Sequence, residues 1–170
     1  MAEPKVKIEF INPFVRAVTS SLETMVYTKV ERVGLYVKKE DQTKMGGDIS
    51  VLMSVFGGLN GTVVLTYPRK VAIKLVGAML MDEEMDDFDD DVSDGIGEIG
   101  NLVVGSAKSA ISQAFKCDAS VSIPTILTGQ PHYLQHQKGV PCIGCVFNSP
   151  HGKFSLEVAL LPDEELNRLA

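Results

Sequence analysis

Tryptophan is absent, and cysteine is scarce: Cys117, Cys142 and Cys145 are too few and odd in number for a disulfide framework. Positive charge is also short, with 16 Lys and Arg against 22 Asp and Glu and a formal net charge of -6. That balance opposes nonspecific nucleic-acid binding. No apolar run reaches the length of a membrane span, and the opening Met-Ala-Glu-Pro-Lys-Val-Lys lacks the apolar core of a signal peptide. A cytoplasmic location without membrane insertion is therefore expected. What remains, 170 residues at 45% hydrophobic and 22% charged, is the make-up of one globular domain with a proper core.

Metal-ligating residues are thinly spread. Cys142-Ile-Gly-Cys145 has the spacing of half a zinc site, with His132 and His136 upstream. Val140 to Phe147 reads as a strand, however, and strand residues three apart point to opposite faces, so buried small apolar cysteines with surface histidines are expected instead. The acidic run from Asp82 to Asp91 does not follow the order of a helix-loop-helix calcium site and reads as a solvated loop.

One stretch organises the rest: Asp94-Gly95-Ile96-Gly97-Glu98-Ile99-Gly100-Asn101-Leu102-Val103-Val104-Gly105, continued to Phe115. Ile96, Ile99, Val103, Ala107, Ala110 and Ala114 recur at steps of three and four, the pattern of one buried helical stripe. Ser93 or Asp94 is the expected cap. On another face Asp94, Glu98, Asn101, Gly105 and Ser112 follow the same spacing, so their side chains line up. Each helix-interior glycine costs about 1 kcal/mol relative to Ala. Gly97, Gly100 and Gly105 thus imply close approach of another surface, either inside the molecule or from a partner.

Around this helix the chain reads as follows. Asn12-Pro13 caps and opens a helix to about Tyr27. Strands follow at Val30 to Lys38, Ile49 to Phe56 and Gly61 to Tyr67, with a polar loop at Lys39 to Gly47 and a hairpin at Gly57 to Asn60. Pro68 opens a second helix. After the central helix come strands at Ala119 to Leu127, Val140 to Phe147 and Phe154 to Leu161, then a short helix from Asp163 to Leu169. His132 and His136 fall in a polar loop or edge segment, Gln130 to Lys138.

The order helix, three strands, Pro-initiated helix thus occurs twice. Glu98 and Asn101 stand 89 residues after Glu9 and Asn12, so even the motif has an echo. The first copy is expected to be inactive, because Pro13 makes Asn12 a cap and leaves Glu9 ahead of the helix. A single α+β domain over residues 1–170 is expected, with pseudo-repeated halves at about 9–81 and 94–170 joined by the acidic loop 82–91. Its two α-β-β-β halves complete one antiparallel sheet with the long helices packed on a face.

An amide cannot be a general base, but it can orient water, and a helix-surface carboxylate can anchor a cation. No nucleophile on this face sits beside a base as a triad requires. Hydrolysis of a phosphoryl group brought by a partner suits so sparse a kit, since that reaction depends mostly on positioning and charge neutralisation. Gly95-Ile-Gly97-Glu-Ile-Gly100 also spells a dinucleotide fingerprint with Asp118 downstream, but it follows an acidic loop where a strand is needed.

Asp94-x-x-x-Glu98-x-x-Asn101 followed by a small-residue-rich helix resembles the signature of the CheC, CheX and FliY phosphatases of bacterial chemotaxis. Asn12-Pro13-Phe14 and Leu22-Glu23-Thr24-Met25 around the first helix are similar to the CheX branch. The resemblance implies hydrolysis of the aspartyl phosphate of a CheY-type response regulator. It makes Asn101 the residue that aligns water and Glu98 the partner of the regulator's lysine, with Asp94 supporting and Gly97, Gly100 and Gly105 at the partner contact. It also implies that the regulator supplies magnesium, that this chain needs no cofactor of its own, and that two copies form a homodimer through their sheets. The competing reading is a noncatalytic binding module for a response regulator or flagellar switch component.

Overall fold

Three helices, α1 (Ile11–Met25), α2 (Arg69–Leu80) and α3 (Asp90–Phe115), lie on one face of a seven-stranded sheet. The structure is a computed structural model that describes residues 8–38 and 47–169. Of the expected loop from Lys39, residues 39–46 lie outside the described residues. The strands are β1 (Glu31–Lys38), β2 (Gly47–Phe56), β3 (Leu59–Tyr67), β4 (Ser120–Val121), β5 (Thr125–His132), β6 (Cys142–Ser149) and β7 (Gly152–Pro162). They run in the order β1-β6-β7-β3-β2-β4, with β5 also paired to β2, and every pairing is antiparallel. A short helix, α4 (Asp163–Leu166), follows β7. The chain therefore adopts the expected α+β architecture.

Period-two alternation decides which sheet face meets the helices. Ile49, Val51, Met53 and Val55 of β2, and Phe154, Leu156, Val158 and Leu160 of β7, all enter one core with the buried stripes of α1, α2 and α3. Each such side chain contributes about 1.5–3 kcal/mol through burial. Tyr67 stacks on Phe154 and Phe154 on Phe147 at centroid distances of 5.2 and 5.3 Å, so the aromatic rows of three strands interlock beneath the helices.

Three boundaries differ from expectation. Asn12 is not a cap: a 3-10 turn, Ile8–Phe10, runs into α1, Phe10 occupies the N-cap position, and no side chain caps there. Burial of Phe10 and Ile11, with Phe10 4.5 Å from Phe115, carries the helical path upstream of the proline. Pro13 is tolerated because first-turn N–H groups lack helical partners anyway. The central helix also starts a turn early, since the Asp89 carboxylate accepts from the Val92 N–H at 3.0 Å. Buried Val92, one turn before Ile96, extends the stripe backwards, and the end of the expected acidic loop becomes helix. The strand expected from Ala119 to Leu127 breaks at Ser122–Pro124, where Pro124 has no N–H for a ladder and Ser122 Oγ accepts from the Ser54 N–H instead.

Candidate functional site

Burial of Ile96, Ile99, Val103, Ala107 and Ile111 sets the rotation of α3 about its axis. Ala110 and Ala114, expected in that stripe, are exposed, and Ile111 takes their place. On the side turned to solvent stand Asp94, Glu98, Asn101 and Gly105, all exposed. Ser112 leaves that row, because its hydroxyl accepts from the Ala119 N–H at 3.3 Å as the helix ends. Glu98 and Asn101, three residues apart, point outward side by side. Neither side chain has a hydrogen-bond or ion-pair partner among the described residues. The arrangement is a free carboxylate next to a free amide on a 26-residue helix packed along its other side.

Two of the expected contact glycines face inward, which corrects their assignment to a partner surface. A Cβ on Gly100 would stand 2.7 Å from Val51 Cγ1, and one on Gly97 would stand 3.4 Å from Ile126 Cδ1. Gly100 lets α3 approach its own sheet, as Gly95 lets it approach Val76 of α2, whereas a Cβ at Gly97 would rest at ordinary contact distance. Gly105 alone of the three expected contact glycines is on the open face, with nothing within 4 Å of an added Cβ. Because these glycines lie inside a helix against side chains, they form no phosphate-cradling turn after a strand, and the dinucleotide reading loses its context.

The first copy of the motif also differs from expectation. Asn12 is exposed inside α1 with no capping bond, and Glu9 lies in the turn that feeds the helix. Both line a cleft of about 370 Å³ between α1 and α3, together with Arg16, Ser20 and Ser106. Arg16 stands where the 89-residue offset places Gly105 in the second copy, so a long cation occupies what is open space beside Asn101.

On the opposite face of the sheet lies a buried polar cluster that no local pattern signals and that corrects the expected surface position of His136, whose side chain is buried against Glu157. Glu157 of β7 accepts from Tyr36 Oη at 2.9 Å and Lys38 Nζ at 2.8 Å, and His136 Nε2 lies 2.9 Å from it. Burial alone would raise the Glu157 carboxyl, but hydrogen bonds from His136 and Lys38 and their charges outweigh it and hold the carboxyl below its ordinary value. Cys142 packs beside this cluster while Cys145 enters the main core, so the Cys-x-x-Cys pair is split across the sheet. His136, Cys142 and Glu157 bring ligand atoms within 4.8 Å of one another. With Lys38 and His136 on one carboxylate oxygen and Thr62 on the other ring nitrogen, the group works as a clasp for the segment between β5 and β6. Among the described residues no helix is long and apolar enough to cross a membrane.

Comparison with known proteins places the chain among chemotaxis proteins. The family model described as chemotaxis phosphatase CheX matches residues 49–148. The chemotaxis protein CheX of Desulfovibrio desulfuricans is 31% identical, with a TM-score of 0.80 over 92% of this chain and 100% of that one. The CheY-P phosphatase CheX of Thermotoga maritima is 25% identical over 79 residues, 46% of this chain and half the length of that relative. A CheX–CheY–BeF3–Mg2+ complex from Borrelia burgdorferi shares the fold at 22% identity and a TM-score of 0.73, over 91% of this chain and 99% of that one.

Proposed function

The chain belongs to the CheX family of chemotaxis phosphatases, and from that premise we propose that it hydrolyses the aspartyl phosphate of a CheY-type response regulator. The observation that carries this reading is the pair Glu98 and Asn101, exposed, adjacent and free of partners among the described residues. α3 presents both to a pocket on another protein. The Asn101 amide holds a water in line with phosphorus; the water oxygen bonds to phosphorus as the acyl phosphate P–O bond breaks and the aspartate leaves as a carboxylate. That leaving group needs no proton, so a positioning amide without a general acid is sufficient. Glu98 pairs with the regulator's active-site lysine, which fixes the depth and angle of entry. Asp94, one turn earlier, adds negative charge toward the same cation. The regulator brings the magnesium.

Two further properties belong to this reading. Among the described residues β1 ends the sheet with its outer edge unpaired, and its helix-side residues Val33, Leu35 and Val37 are exposed, so this edge and apolar row suit a second copy and a homodimer joined through the sheets. The working domain is residues 1–170 with internal duplication at about 9–81 and 94–170, and it acts in the cytoplasm, where the regulator is. The test is phosphate loss from a receiver domain charged with acetyl phosphate in magnesium buffer. Added protein should shorten the phosphoryl lifetime in proportion to its concentration. Binding that leaves the lifetime unchanged would make the chain a noncatalytic module instead.

A further inference from the structure

Around Glu157 the register of the strands gathers donors of different chemistry. Cys142 stands opposite Ala159 and Gly144 opposite Glu157, so Cys142 and Glu157 are diagonal neighbours on the outer face of the sheet. Lys38 lies opposite Cys142, and Tyr36 opposite Gly144. His136 comes from the segment after β5, and one ligand atom from each of His136, Cys142 and Glu157 lies within 4.8 Å of the other two. All three side chains are buried.

The groups behind these three hold them for ligation. Thr62 Oγ1 lies 2.7 Å from His136 Nδ1, which turns Nε2 toward Glu157. Tyr36 Oη donates to Glu157 Oε1 at 2.9 Å and leaves Oε2 facing His136. A Cβ at Gly144 would overlap the Tyr36 ring, so glycine there is what lets the phenol cross to β7. Outer partners of this kind orient the imidazole and carboxylate ligands of a metal. A cation also has its place here already, because Lys38 Nζ donates to Glu157 Oε2 at 2.8 Å and to the Leu134 carbonyl at 2.7 Å.

We propose that His136 Nε2, Cys142 Sγ and Glu157 Oε2 bind one Zn2+ ion, with water as the fourth ligand, in the place that the Lys38 ammonium holds. Imidazole, thiolate and carboxylate together are a donor set that suits zinc and not the oxygen-seeking calcium or magnesium. Tetrahedral zinc spaces its ligand atoms roughly 3.3–3.6 Å apart, so a separation of 4.8 Å closes by roughly 1.3 Å, a movement that side-chain rotation supplies. Burial and the Glu157 charge push the Cys142 thiol up, so the metal draws its proton off: the S–H bond breaks, the sulfur pair goes to zinc and the proton passes to solvent. The imidazole keeps its proton on Nδ1, toward Thr62. Lys38, on the edge strand among the described residues, swings out to water. With a neutral imidazole, Lys38 and Glu157 cancel in charge, and so do zinc, thiolate and carboxylate, so the exchange leaves the buried cluster without net charge. Zinc then fastens the segment between β5 and β6 to β6 and β7 directly and frees the side-chain tie to β1. The site lies on the sheet face away from α3 and does not rest on the phosphatase reading.

The experiment titrates the full chain, kept reduced, with zinc against a chromogenic chelator and with cobalt, whose thiolate complexes absorb. Wild type should take up one zinc per chain and show thiolate absorption with cobalt. Cys142→Ser should lose that absorption, and Cys142→Ser and His136→Gln should each weaken zinc binding at least about tenfold, with Thr62→Val weakening it about tenfold through the ring it orients. Lys38→Met should bind zinc about tenfold more tightly, melt below wild type and regain the loss when zinc is added. Cys117→Ser should bind like wild type. Wild type that takes up no zinc would overturn the site, including the case in which Lys38→Met alone binds, since Lys38 would then keep the cluster closed. Cobalt bound without thiolate absorption, or with that absorption intact in Cys142→Ser, would overturn it as well. Should Cys142→Ser fail to fold by its far-UV spectrum, the cobalt spectrum of Cys117→Ser and the zinc response of Lys38→Met decide.

Discussion

His136 Nε2 lies 2.9 Å from Oε2 of Glu157, and through this pair the segment between β5 and β6 is fastened to the outer face of the sheet. Lys38 shares the same carboxylate oxygen and also donates to the Leu134 carbonyl at 2.7 Å, so edge strand β1 joins the clasp. The side-chain bonds that tie Tyr36 and Lys38 of β1 to β7, beyond the ladder of β1 with β6, therefore converge on one buried anion.

That convergence has a pH signature. The Glu157 carboxyl is held below its ordinary 4.5 in the folded chain, so the unfolded chain binds the extra proton first as pH falls. The stabilisation is full above about that ordinary value and is lost as pH drops through the folded value. Glu157→Gln, which leaves Lys38 and His136 buried without their anion, should cost about 3–5 kcal/mol near neutral pH. Urea unfolding of wild type and variant from neutral to about pH 3.5 should show the gap narrowing as pH falls. A gap that widens would show that the carboxylate is not what the clasp depends on.

Two glycines on one helix should respond to alanine with opposite signs. At Gly105 an added methyl meets nothing, so Gly105→Ala should gain up to about 1 kcal/mol from helix propensity. At Gly100 the same methyl comes within 2.7 Å of Val51 Cγ1, and overpacking of about 1–3 kcal/mol should exceed that gain. Thermal unfolding of the two variants would decide it, Gly105→Ala melting above wild type and Gly100→Ala below.

These glycines also show how far the residues alone could be read. Where periodicity and burial agree, as at Ile96, Ile99 and Val103 or at Ile49, Val51 and Met53, the element and its inward face were plain from spacing. So was the outward row Asp94, Glu98 and Asn101, because polar side chains declare the face they share. A glycine declares nothing: Gly97 and Gly100 fall in a helix as expected, but both face inward, and the surface that Gly100 admits is this chain's own sheet. Glu157 was missed because Leu-Glu-Val in a strand reads as apolar-polar alternation with one side in water. Its partners lie 21 and 119 positions away in the chain, beyond any local pattern.

The edge of β1, unpaired among the described residues, leads to a prediction about assembly. Val33, Leu35 and Val37 are exposed on its helix-facing side, an apolar row that a lone sheet edge would not carry without risk of association. Leu35→Glu should shift the protein toward monomer in sedimentation equilibrium at micromolar concentration and leave the far-UV spectrum unchanged. A wild-type protein that sediments as a monomer would remove the dimer from the proposal.

The two Glu-x-x-Asn copies should differ sharply in their effect on phosphate loss. Asn101→Ala removes the amide that holds water in line and should lower kcat by about 10²–10³, the scale of losing one preorganised transition-state contact. Glu98→Ala should act mainly on KM, because its pairing with the partner's lysine is made in the ground state as well. Asn12 is also exposed on its helix, with Glu9 in the turn just ahead of it, so helix geometry no longer distinguishes the copies. The neighbouring side chain does: Arg16 projects beside Asn12 where Gly105 leaves open space beside Asn101. A cation there competes for Glu9 and obstructs a closely fitting surface, so Asn12→Ala should leave kcat within about twofold of wild type. In the Asn101→Ala background, Arg16→Gly tests the reason directly. A partial return of activity would mean that Arg16 keeps the first copy closed, and no return would mean that α1 lacks something besides space.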